Sequence, residues 1–189
     1  LWGLGFWHRT PSAYSAEEVD REVAEFAEHR IPLDVIGLEP GWQTKSYPCT
    51  FEWQRKRFAD PAAFTRRLLD EGIRVNLWIN PYISKHAAIY QRMEPLAGSH
   101  LVWLGIVPDY TLPAARAILR EHHDREHIAI GISGYKVDEV DGYDFWLWPD
   151  HATFPSGTPA EVMRQTYGML MQNLLHEELF VARNQRTYS

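Results

Sequence analysis

Short apolar runs alternate with helix-length amphipathic stretches along the whole chain, and no other sequence feature restricts the fold as strongly. Residues 3–7, 33–38, 73–79, 134–137 and 179–183 read as strands, and residues 16–29, 60–72, 113–126 and 158–177 as helices. Ser15 with Glu18 forms a capping box for the first helix, whose Val19, Val23, Phe26 and Ala27 fall on one face. Asp60-Pro61 opens the second helix and Gly72 closes it. Thr158 with Glu161 predicts another capping box at the last helix. Residues 84–110 interrupt the alternation with a short helix and an apolar, hairpin-like stretch.

Strands separated by helices of ten or more residues imply βαβ units and a parallel sheet. An open doubly wound sheet and a barrel both satisfy that pattern. No Gly-rich phosphate loop follows any strand, which leaves the nucleotide-binding version with little support. A complete (β/α)8 barrel takes roughly 250 residues. The 189 residues here therefore read as an α/β chain, about the first five β/α units of a TIM barrel. Residues 1–189 are expected to form one barrel segment with no second domain, cut from a longer protein.

Composition narrows the function. With 45% hydrophobic and 23% charged residues the chain reads as globular. No apolar run approaches the ~18 residues of a membrane helix. A net charge of −6 argues against a nucleic-acid partner, which needs clustered Lys and Arg. The lone Cys49 forbids an internal disulfide, and no cofactor or metal is called for. The run His122-His123-Asp124-Arg125-Glu126-His127 looks rich in metal ligands, but its place at a helix end reads as a solvated face.

Barrel enzymes carry their chemistry at the C-terminal ends of their strands, and polar residues gather there in this sequence. The five ends carry His8-Arg9, Glu39, Asn80, Lys136 to Glu139, and Arg183-Asn184-Gln185. Lys136 and Asp138 share parity, so both side chains point to one face of the strand, in a barrel the interior. A lysine beside a carboxylate favours its ionised form, as a glycosidase nucleophile requires. A buried ion pair bracing the barrel explains the same pair. Trp42, Trp78 and Tyr82 are candidate walls of a sugar site or core filling. The competing readings are a non-catalytic sugar-binding protein of the same fold and a metal-dependent barrel lyase or aldolase with a divalent ion near Asp138, Glu139 and Asp141, although neighbours along a strand point to opposite faces.

Three segments carry a resemblance: residues 75–83 (VNLWINPYI), 134–141 (GYKVDEVD) and 180–183 (FVAR). With their order and spacing they resemble the family 31 glycoside hydrolases, retaining enzymes that include α-glucosidases, α-xylosidases and α-galactosidases. The resemblance implies that Asp138 is the catalytic nucleophile. It implies that Lys136 and Arg183 bind substrate hydroxyls, that Trp78 walls the sugar pocket, and that Glu39 stands where glucose-active members carry an Asp. Glu139 replaces a hydrophobic residue of the same first subsite, so the two carboxylates bear on whether the sugar is glucose, galactose or an N-acetylated one. The acid/base carboxyl is expected beyond the fifth strand, outside this chain. The segment alone is then expected to be inactive, and the implied partners are a carbohydrate substrate, the rest of the barrel and an N-terminal β-sandwich.

Overall fold

The computed structural model describes residues 2–140 and 148–188. Four parallel strands form its sheet: β1 (Trp7–Thr10), β2 (Val35–Leu38), β3 (Arg74–Ile79) and β6 (Gly134–Val137), side by side in that order. The helices α1 (Ala16–Glu28), α2 (Pro61–Asp70) and α4 (Pro113–Glu126) occupy the connections. Each crossover returns the chain parallel to the strand it left, as the helix-separated apolar runs require. Val19 and Val23 of α1, Phe64 and Leu68 of α2, and Leu119 of α4 join Ile36, Leu38, Val75, Leu77 and Tyr135 of the sheet in one buried core. Among the described residues, no helix is long and apolar enough to cross a membrane.

Register puts the polar residues in layers. Arg9, Gly37, Asn76 and Gly134 are mutually paired and share the interior face. One step up that face, Trp78 pairs with Lys136, and Glu39 lies one residue beyond the Leu38–Leu77 pair, level with both. Asp138 follows at the next step, so the parity read from the sequence carries the acidic and basic groups to one end of one face.

Local signals account for most element ends. Glu18 N donates to Ser15 Oγ at 3.4 Å, and Ser15 N to Glu18 Oε2 at 2.7 Å, which completes the predicted capping box. Asp60 Oδ1 accepts from Ala63 N at 2.9 Å, with Pro61 in the first helical position. The box expected at the fourth long helix, α5 (Ala160–Asn173), does not form. Pro159 takes the cap position with no side-chain cap bond, and Ser156 Oγ engages the Thr158 hydroxyl at 2.8 Å.

Two strands differ from expectation. The first begins at Trp7 rather than residue 3, because a strand extends only as far as its neighbour pairs with it, and β2 starts at Val35. Trp2–Leu4 form a 3-10 turn instead. The predicted fifth strand is helical: α5 continues through a π-helical segment, Leu174–Phe180, and a 3-10 turn, Val181–Arg183. Leu174, Leu175, Leu179 and Phe180 are all buried. Their spacing of five suits the wider π turn, and a short apolar run cannot be told from a buried helix by pattern alone. Among the described residues the barrel segment thus contributes four parallel strands rather than five.

The excursion after β3 holds a short helix, α3 (Tyr90–Met93), and an antiparallel hairpin of β4 (Ala97–Val102) and β5 (Gly105–Pro108). Its tip is Trp103-Leu104, both with positive φ (52° and 66°), the conformation for which Asn-Gly is the favoured pair. A Cβ on Gly105 would meet Pro48 Cβ at 2.5 Å, so glycine lets the tip sit against the Tyr47-Pro48 loop. Left-handed residues other than glycine cost about 1–2 kcal/mol each. In the whole natural protein, the double change Trp103→Asn, Leu104→Gly is expected to raise the barrel's melting temperature by roughly 2–4 °C. An unchanged or lowered value would mean that the tip carries no strain.

Candidate active site

At the C-terminal end of the sheet the charges alternate. Arg9 Nη1 lies 3.8 Å from Glu39 Oε2, Lys136 Nζ 3.2 Å from Glu39 Oε1, and the same Nζ 3.9 Å from Asp138 Oδ2. Asp138 is pinned at both oxygens: Trp78 Nε1 donates to Oδ2 at 2.9 Å and Glu139 N to Oδ1 at 3.0 Å. The Asp138 side chain is nevertheless 44% exposed, whereas that of Glu39 is 12% exposed. Below this rim a cleft of about 420 Å³ is lined by Arg9, Glu39, Asn76, Trp78, Lys136 and Tyr188 among others.

Glu39, Trp78, Lys136, Asp138 and Glu139 therefore come together. Arg183 does not. It ends the 3-10 turn after the π-helical segment and pairs with Asp124 of α4. The following Gln185 and Arg186 share a groove with Ile128, Gly131 and Ser133, which precede β6, so this stretch lies at the opposite end of the sheet from Asp138. The physical cause is the helical course of residues 174–183 described above.

Two aromatic candidates stand behind the site rather than in its wall. Trp42 is buried, donates Nε1 to Trp78 O at 2.8 Å, and packs edge-on against Trp53 and His127. Tyr82 is buried too, its hydroxyl donating to Glu139 O at 2.6 Å. Tyr47, which no sequence pattern singled out, is 49% exposed and bridges Trp78 and Trp103, with ring centroids 5.2 and 5.8 Å away. Partial burial, then the Glu139 and Asp138 carboxylates, push its phenol up to about 12.

Burial pushes the Cys49 thiol up to about 12, so it is inert as a nucleophile. Its Sγ instead accepts from Asn80 N and Gln43 Nε2, both at 3.3 Å, and braces the turn after β3.

The histidine run is not a solvated face. His122, His123 and His127 are buried, with ring centroids 4.8–6.0 Å apart. His122 Nε2 and His127 Nε2 both lie on the Phe51 carbonyl, at 3.1 and 3.0 Å, and His127 Nδ1 lies 3.0 Å from the Tyr135 hydroxyl. The loop carrying Phe51 covers the C-terminal end of α4, a contact across more than 70 residues that helix-end reasoning does not anticipate. Among the described residues no group of three or more His, Cys, Asp or Glu is arranged to hold a metal. Asp141, the third member of the competing metal set, lies outside the described residues.

Comparison with known proteins matches residues 1–189 to the glycosyl hydrolases family 31 TIM-barrel domain. An α-xylosidase of Lactiplantibacillus pentosus is 36% identical over 95 residues, covering 49% of this chain and 12% of that protein. An α-xylosidase of Emericella nidulans is 26% identical over 192 residues, covering 94% of this chain and 24% of its own length. The chain thus spans about a quarter or less of these curated relatives. Among solved structures, a family 31 α-xylosidase from a soil metagenome, complexed with xylose, superposes with a TM-score of 0.81 at 19% identity, over 98% of this chain and 28% of that one. A Flavobacterium johnsoniae dextranase complexed with glucose gives 0.80 at 19% identity, over 96% and 24%. At such identities the structural likeness speaks to the fold.

Proposed function

Because this chain belongs to glycoside hydrolase family 31, we propose that the protein carrying it hydrolyses a terminal α-linked sugar with retention, using Asp138 as the nucleophile. The observation that carries this reading is the state of that carboxylate: fixed by an N–H on each oxygen, yet nearly half exposed at the C-terminal end of the sheet. A nucleophile needs that combination, because alignment lowers the entropic barrier while an open face admits the anomeric carbon.

In the first step an Asp138 oxygen bonds to the anomeric carbon as the glycosidic C–O bond breaks, and the departing oxygen takes a proton from a second carboxyl. In the second, water attacks the same carbon, releases the Asp138 carboxylate and returns its proton to that carboxyl. The second carboxyl is assigned to no described residue. Lys136 and Glu39, themselves paired, are placed to receive sugar hydroxyls. Trp78, as buried as Trp42 and Tyr82, backs the subsite and aligns Asp138 through its Nε1, and Glu139 sits at its rim beside Tyr47.

The relatives are named as α-xylosidases, so xylose joins glucose and galactose as a candidate sugar. The test uses the whole natural protein with 5-fluoro-α-xylosyl, -glucosyl and -galactosyl fluorides, which form the covalent intermediate faster than it is hydrolysed. Peptide mapping is expected to place the label on Asp138, and the fastest reagent identifies the sugar. A label on a different carboxylate, or none on folded protein, would overturn the assignment.

A further inference from the structure

We infer that Tyr82 is a positioning residue for the Asp138 carboxylate, acting through the backbone of Glu139; this rests on the nucleophilic role proposed for Asp138. The starting observation is the Glu139 φ of 61°, a left-handed conformation that a side-chain-bearing residue adopts only when its surroundings impose it. Among the described residues two backbone anchors hold it, one on each side of the N–Cα bond, while the side chain bonds to Tyr47. On the amide side, Glu139 N donates to Asp138 Oδ1 at 3.0 Å. On the carbonyl side, Glu139 O accepts from the Tyr82 hydroxyl at 2.6 Å. With both ends held, the φ and ψ torsions between them are restricted together. Releasing the carbonyl lets the strained torsion relax, and the amide that aligns the nucleophile is no longer held on it.

Tyr82 is built to be the fixed end. Its hydroxyl receives the Trp148 indole N–H at 3.2 Å, which commits its own proton to the Glu139 carbonyl. Its ring lies 2% exposed, stacked at 7° to that of Tyr167, whose hydroxyl donates to Pro108 O at 2.8 Å. Its backbone is held too: Tyr82 N donates to Asn80 Oδ1 at 3.1 Å and Tyr82 O accepts from Cys49 N at 3.0 Å. Tyr82 therefore does not touch the sugar; it holds the peptide that holds the nucleophile.

Glycine adopts positive φ without the steric penalty, so the backbone at 139 supplies the test. In the whole natural protein, Tyr82→Phe is expected to lower kcat and the rate of Asp138 labelling by roughly tenfold to a hundredfold, with KM little changed. In a Glu139→Gly background the same change is expected to cost less than about threefold, because the torsion no longer needs the anchor. In a Glu139→Ala background, which removes the carboxylate but keeps the strain, the full loss is expected to return. Trp148→Phe leaves the Tyr82 ring in place and frees its hydroxyl to turn; it is expected to repeat the pattern at smaller amplitude, and it decides the matter should Tyr82→Phe fail to fold. Equal losses in the glycine and alanine backgrounds, or no loss at all, would overturn the inference. Failure of the unaltered protein to label at Asp138 would instead overturn the parent assignment.

Discussion

Asp138→Asn is expected to lower kcat/KM of the whole natural protein on an α-glycoside by at least about a thousandfold, with folding unaffected. The amide keeps the carboxylate's shape, and the side chain is 44% exposed, so no buried charge pair is broken. What it loses is the electron pair that bonds to the anomeric carbon. A companion experiment reads the same geometry. With Asp138→Gly, azide and an α-glycosyl fluoride are expected to give the β-glycosyl azide, the anion entering from the face the carboxylate has left. Near-normal turnover by Asp138→Asn, together with an unshifted melting curve, would remove Asp138 from the reaction.

The second large effect concerns acid. Burial, reinforced by the neighbouring rings, lowers His123 well below the usual histidine value and His127 to about 3; burial also lowers His122. The groups facing these rings are Tyr135 from β6, the Phe51 carbonyl, and Glu52, Glu126 and Arg125 near His122. An unfolded histidine binds its proton near pH 6.5. The native state resists that proton, so the stability linked to the cluster is complete above pH 6.5. It is lost as pH falls from 6.5 towards 3, at about 1.4 kcal/mol per pH unit for each histidine held neutral. For His127 alone the loss by pH 4.5 is about 3 kcal/mol, a large share of a typical domain's stability. Denaturant midpoints of the whole natural protein at pH 7, 5.5 and 4.5 would show it. His123→Leu, which removes one proton site from the middle of the cluster, is expected to flatten the dependence. A stability that does not change between pH 7 and 5 would show that the rings accept protons without disruption.

Where a residue's role follows from its neighbours in the chain, the sequence is a good guide. Residues 113–126 and 134–137 fall in helix and strand as read, and the shared parity of Lys136 and Asp138 does put them on one face. Glu39, Trp78 and Asp138 meet because parallel register carries strand ends to the same level. Contacts across long separations follow different logic. Whether His127 faces water depends on Phe51, 76 residues earlier. Tyr47 reaches the site only because its loop packs against a hairpin tip more than 50 residues later. Residues 179–183 fail for another reason: an apolar run of that length is compatible with a strand or a helix, and burial of Leu179 and Phe180 is achieved in the helix.

For anyone seeking to make this barrel more heat-resistant, positions 103 and 104 are a tempting repair, since a Trp-Leu pair occupies a turn shaped for Asn-Gly. The same edit would erase a leucine that is 83% exposed and a tryptophan that is 38% exposed, whose ring packs edge-on against the Tyr47 ring that leans on Trp78. Thermal robustness and the support of the Tyr47 ring beside Trp78 are thus written into the same hairpin tip. A screen that ranks variants of this loop by melting temperature alone would select steadily against that support.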